Sequence, residues 1–112
     1  MNRFVKLVLV ILSLLPLSVM AANDKPFTIP ELKDWQGGEG FFTPSTACRI
    51  VYRGKQPELR RVAQQLADDY ALLTGRRLEV ATGKPANGDI VLEIAADKKL
   101  GNEGYAIRIA DG

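Results

Sequence analysis

Between Pro57 and Gly75 the chain can place its apolar residues together in only one way. Leu59, Val62, Ala63, Leu66, Tyr70 and Leu73 recur at steps of three and four, and Arg60, Arg61, Gln64, Gln65, Asp68 and Asp69 fill the other side. That spacing predicts an amphipathic helix of about 16 residues. Pro57 suits the first turn, where a missing N–H loses no bond, and Gly75 suits the position just past the last turn. Such a helix needs a surface to cover its apolar stripe. Each large side chain buried there contributes on the order of 1.5–3 kcal/mol before the entropy of ordering is subtracted.

That surface is read from the flanking segments. Phe41 and Phe42 begin a short strand, and Arg49 to Tyr52 form a second, with Ile50, Val51 and Tyr52 as its apolar run. After the helix come Arg77 to Ala81, Asp89 to Ile94 and Tyr105 to Ile109. The near-continuous Ile90-Val91-Leu92 predicts a strand buried on both faces, hence a central one. Tyr105, Ile107 and Ile109 alternate with Ala106 and Arg108, the pattern of a strand with one apolar face. Turn residues lie between them: Gly83, Pro85 and Asn87-Gly88 in one connection, Gly101 and Gly104 in the other. The expected fold is therefore α/β (α+β), a mixed β-sheet of about five strands with one amphipathic helix packed on it. Asp111-Gly112 after the last strand is a hairpin signal. It suggests a continuing domain, with Tyr105 to Ile109 left as an exposed edge of marginal stability without the returning strand.

The N-terminus has a different character. Arg3 and Lys6 precede an apolar stretch from Leu7 to Leu15, Pro16 breaks it, and small residues follow at Ser18, Ala21 and Ala22. This is the three-part pattern of a secretory signal, with cleavage expected after Ala21 or Ala22 and export to the periplasm or the medium. The stretch is far short of the roughly 20 residues that span a bilayer, so no stable membrane span is expected. The divisions expected are a signal peptide over 1–21, a Pro/Gly-rich lead-in over 22–40 with apolar anchors at Ile29, Leu32 and Trp35, and an α/β domain over 41–112. Arg3 and Lys6 are two of the 15 basic residues, so what remains balances the 13 acidic ones. A nucleic-acid binder needs a basic excess on one face, and none survives.

Residue chemistry narrows the rest. The chain has no histidine and a single cysteine, Cys48, which excludes His-based triads, the usual zinc sites and an internal disulfide. A lone thiol reads first as a small buried apolar side chain. Asp68 and Asp69 are the obvious carboxylate pair, yet helix neighbours point about 100° apart, and both fall on the polar side. Arg60-Arg61, Arg76-Arg77 and Lys98-Lys99 read as solvated surface. Gly37-Gly38-Glu39-Gly40 precedes a strand and lacks the strand-to-helix setting of a phosphate cradle. No catalytic, cofactor-binding or metal-ligating residue is assigned. Trp35, Tyr52 and Tyr105 are the candidates for stacking on a sugar ring, against the blander reading of Trp35 as a plug on its own domain.

The order of short motifs adds a resemblance. Ile29-Pro30 with Trp35, Gly40-Phe41-Phe42 and Arg49-Ile50-Val51-Tyr52 open it. Leu73-Thr74-Gly75, Leu78-Glu79-Val80, Gly88-Asp89-Ile90-Val91-Leu92 and Leu100-Gly101-Asn102-Glu103-Gly104-Tyr105 continue it in sequence. Together they resemble the N-terminal, non-catalytic domain of glycoside hydrolase family 20, the β-N-acetylhexosaminidases. The resemblance implies an α/β layer beside a catalytic (β/α)8 barrel acting on terminal β-linked N-acetylhexosamines. There the substrate's acetamido group is the nucleophile, helped by an Asp-Glu pair on the barrel. It implies the barrel as partner, N-acetylated glycans as a further one, and no cofactor. None of the barrel's catalytic residues has a counterpart in this chain. The alternative is a stand-alone exported module that binds glycans or another protein.

Overall fold

The computed structural model describes residues 22–110. The expected signal segment 1–21, its cut at Ala21 and the Asp111-Gly112 turn lie outside the described residues. The chain divides into two bodies, one ending at Phe41 and the other beginning at Phe42.

The second body holds the regular structure: β1 (Arg49–Arg53), α1 (Pro57–Thr74), β2 (Glu79–Thr82) and β3 (Ile90–Glu93). The sheet runs β2–β1–β3, so the earliest strand in the chain is the middle one in space. Both pairings are parallel, with Ile50 level with Val80 and Ile90, and Val51 level with Ala81 and Val91. Alternate residues of each strand face opposite sides. Ile50, Tyr52, Val80, Ile90 and Leu92 accordingly gather with Cys48 and Leu78 under the helix. Val51, Ala81 and Val91 line the other face. α1 supplies the crossover that a parallel neighbour requires, whereas β2 returns to β3 through residues 83–89 with no helix, shorter than the dozen or so residues such connections commonly use.

The helix is 18 residues long, with Pro57 in its first turn and no side-chain cap at Gln56. Gly75 ends it in the left-handed conformation, φ 76°, its N–H donating to the Ala71 carbonyl at 2.8 Å. Leu59, Ala63 and Ala67 are buried, and Leu66 and Tyr70 pack beside them. Alanine at two fully buried positions leaves room for Ile50 and Leu78, an interlocking of large and small residues. Val62 and Leu73, expected on the covered face, are 52 % and 87 % exposed. Three strands span about 10 Å between outer axes, about the width of one helix, so residues on the flank of the stripe lie beyond the sheet.

Four further expectations are corrected. The sheet has three strands among the described residues and not five; the α/β class with one helix on the sheet stands. Phe41-Phe42 forms no strand, and Pro44 just downstream lacks a ladder donor and restricts Thr43. Tyr105 to Ile109 is irregular, with Tyr105 54 % and Ile107 77 % exposed, because an alternating segment gains no hydrogen bonds until an edge accepts it. The central strand is β1, where Ile50 and Val51 are buried on opposite faces, while β3 is an edge.

The first body has no helix or strand among residues 22–41. Its lead-in nevertheless closes on itself through Asn23. The Asn23 backbone N–H donates to the Gly38 carbonyl at 2.7 Å and its Nδ2 to the Gly40 carbonyl at 2.7 Å, while the Trp35 Nε1–H donates to the Asn23 carbonyl at 3.3 Å. A Cβ at Gly37 would overlap that carbonyl oxygen, so only glycine permits the approach. The Gly37-Gly38-Glu39-Gly40 stretch is thus a seat for Asn23.

Candidate functional site

The most fully built polar arrangement lies at the start of β1. Asp89, the residue before β3, has a side chain only 2 % exposed. Its Oδ1 accepts from the Arg49 backbone N–H at 3.1 Å and from Arg49 Nε at 3.4 Å. Its Oδ2 accepts from Arg49 Nη2 at 2.6 Å and from the Ala86 N–H at 2.8 Å. A carboxylate enclosed by donors is held in its charged form. The Arg49 hydrogen bond first, then the Ala86 N–H, keep the Asp89 carboxyl below the usual carboxylate range. With both oxygens occupied, Asp89 is a clamp between the 83–89 crossover and β1, and it has no free lone pair with which to take a substrate proton.

Cys48 lies beside this clamp, buried in the core. Burial pushes its thiol up, and the Asp89 charge adds to the shift against the opposing pull of Arg76. A thiol kept protonated is a poor nucleophile. Asp68 pairs with Arg77, and Asp69 accepts from Gln65 Nε2 at 2.9 Å, so the two adjacent carboxylates serve separate partners and share no proton. The Arg76 guanidinium donates to the Ser45 carbonyl. Arg53 and Glu93, level across β1 and β3, stand 3.8 Å apart at the exposed end of the sheet.

The three sugar-stacking candidates occupy different settings. Trp35 is 43 % exposed and spends its indole N–H on Asn23. Tyr52 is half-buried against the helix–sheet core. Tyr105 stands in irregular chain. Two surface hollows, one lined by Lys25, Pro26, Phe27, Thr28 and Glu31 and one by residues of the 95–102 loop, contain none of the three. What the second body does present is apolar surface without a cover: Val62, Leu72 and Leu73 on the helix, and Tyr105, Ile107 and Ile109 beyond β3. The sequence reading missed Asp89 and Asn23. Asp89 was legible as an acid placed directly before an apolar strand, and Asn23 left no local signal.

Comparison with known proteins decides what such a domain belongs to. The family model described as glycosyl hydrolase family 20, domain 2, matches residues 25–112. The chain belongs to glycosyl hydrolase family 20. Its domain 2 match takes in both bodies, from the lead-in through β3 and the irregular segment after it. Lacto-N-biosidase of Bifidobacterium bifidum is 33 % identical over 87 residues, which cover 76 % of this chain and 8 % of that protein. This family 20 chain therefore spans a small fraction of the curated relative it matches. No solved structure matches it. Among the described residues no helix is long and apolar enough to cross a membrane.

Proposed function

We propose that this chain is the non-catalytic domain 2 of an exported family 20 glycosidase, whose active site stands on a separate (β/α)8 barrel. The match to domain 2 over residues 25–112 carries the reading. The saturated clamp at Asp89 and the protonated, buried Cys48 agree with a structural role, since neither leaves a group free for acid–base or nucleophilic work. The uncovered apolar residues of α1 and of 105–109 are the surface such a domain would use against its neighbour. The parent reaction in this reading is hydrolysis of a terminal β-linked N-acetylhexosaminide, with the substrate acetamide as nucleophile.

The export half of the proposal rests on Arg3, Lys6 and the apolar run to Leu15. Amino-terminal sequencing of the protein recovered from the periplasm or medium should begin at Ala22 or Asn23; a retained Met1 in that fraction would overturn export. The purified chain should not hydrolyse an aryl N-acetylglucosaminide, and the reading frame past Gly112 should encode a barrel with an Asp-Glu pair. Hydrolysis by the chain alone would end the non-catalytic reading.

One observation favours a second function. Trp35 keeps 43 % of its surface exposed although its N–H is satisfied, which leaves a ring face for an N-acetylated glycan. Titration with chitin oligomers followed by Trp35 fluorescence tests it, and an unchanged spectrum at saturating sugar removes it.

A further inference from the structure

The 83–89 crossover contains the chain's sole Asn-Gly pair, Asn87-Gly88, and both residues are exposed in a turn. Gly88 is left-handed, φ 87°, and nothing lies within 4 Å of where its side chain would project. Gly88 itself brings no side chain to screen the backbone nitrogen that follows Asn87. The other described asparagines are placed differently. Asn23 has its Nδ2 hydrogen-bonded to the Gly40 carbonyl and is followed by Asp24, and Asn102 is followed by Glu103, each of which brings a side chain beside the next amide.

We propose that Asn87 is a site of spontaneous deamidation that releases the clamp between the crossover and β1. The Gly88 amide nitrogen attacks Asn87 Cγ, a new C–N bond closes a succinimide, and the side-chain nitrogen leaves as ammonia with the Gly88 proton. Water then adds across one of the two ring C–N bonds, giving aspartate or isoaspartate. No oxidant or cofactor is consumed. The two products differ in what they do to the turn. Aspartate leaves the main chain as it was. Isoaspartate routes the main chain through Cβ and so lengthens the path from Ala86 to Asp89.

That path is closed by two short bonds, Asp89 N–H to the Ala86 carbonyl at 3.1 Å and Ala86 N–H to Asp89 Oδ2 at 2.8 Å. A lengthened main chain cannot keep both. Asp89 then loses its Ala86 partner and its fixed angle toward Arg49, and the β1–β3 ladder loses its anchor at the β3 start. The modification thus couples an exposed turn to a buried carboxylate.

The test follows the three described asparagines in the full chain, incubated at mildly alkaline pH and body temperature, by peptide mass spectrometry. Asn87 should convert several-fold faster than Asn102, with Asn23 slower still, and isoaspartate should be the larger product at 87. The isoaspartate-containing fraction should show several-fold faster hydrogen exchange at the Ala86 and Arg49 amides than unmodified chain, whereas the Asn87→Asp variant should not. Asn87→Gln should abolish conversion at that position. Asn87 converting no faster than Asn102 would overturn the site, and unchanged exchange in the isoaspartate fraction would overturn the coupling.

Discussion

Asp89→Ala should loosen the sheet from its β3 side. The substitution removes the acceptor for two backbone donors, Arg49 N–H and Ala86 N–H, and for two guanidinium nitrogens of Arg49. An unpaired buried donor costs about 1–3 kcal/mol. Ala86 is exposed and the Arg49 side chain is 30 % exposed, so water recovers part of that loss. The net cost works out at about 2–3 kcal/mol, out of the 5–15 kcal/mol typical of a whole domain. At about 4–8 °C per kcal/mol for a domain of this size, the melting midpoint should fall by roughly 10–20 °C. Circular dichroism melts and hydrogen exchange at the Arg49 and Ala86 amides are the assays. The pH dependence adds a signature. Because Arg49 holds the folded-state pKa of Asp89 below the ordinary 3.8, the contribution is complete above that value and is lost as pH falls through the lower folded value. Asp89→Asn should remove that acid-side loss. A variant that melts with the parent chain and keeps slow exchange at Arg49 would refute the clamp.

Ile50→Ala, at a position with no exposed surface beneath Ala63 and Ala67, should destabilise the chain by about 2–5 kcal/mol, measured by urea unfolding. Cys48 should resist alkylation at neutral pH in the native chain and react rapidly in urea, because burial, reinforced by Asp89, keeps the thiol protonated. Gly37→Ala should free the lead-in, seen as faster exchange at the Asn23 amide and a shifted Trp35 emission, with the melt of the helix and sheet unchanged.

The helix was the most legible element, since Pro57, Gly75 and the recurrence of Leu59, Ala63, Leu66 and Tyr70 are all local signals. Strand existence at 49–53, 79–82 and 90–93 was legible for the same reason. Strand order was not. Ile90-Val91-Leu92 and Ile50-Val51-Tyr52 are apolar runs of equal length, yet the latter takes the middle, because position in a sheet depends on which neighbours arrive on each side. The alternation of Tyr105, Ile107 and Ile109 promised a strand, but pairing is decided by a partner and the pattern names none. The chemistry of the site was partly legible: Cys48 reads as buried, while the Arg49–Asp89 contact joins residues 40 apart and no short-range pattern announces it.

A sheet whose middle strand is made first has a consequence for its birth. β1 leaves the ribosome with neither neighbour yet made, since β2 ends 29 positions after β1 does and β3 ends 40 after it. At about 5–20 residues per second the wait for the first neighbour is roughly 1.5–6 s, during which Ile50 and Val51 have no strand beside them. Until β2 is made, the amphipathic turn-by-turn growth of 57–74 covers the Ile50 face of the strand, so helix propensity in that stretch protects that face of the newborn chain from sticking to its copies as well as stabilising the finished one.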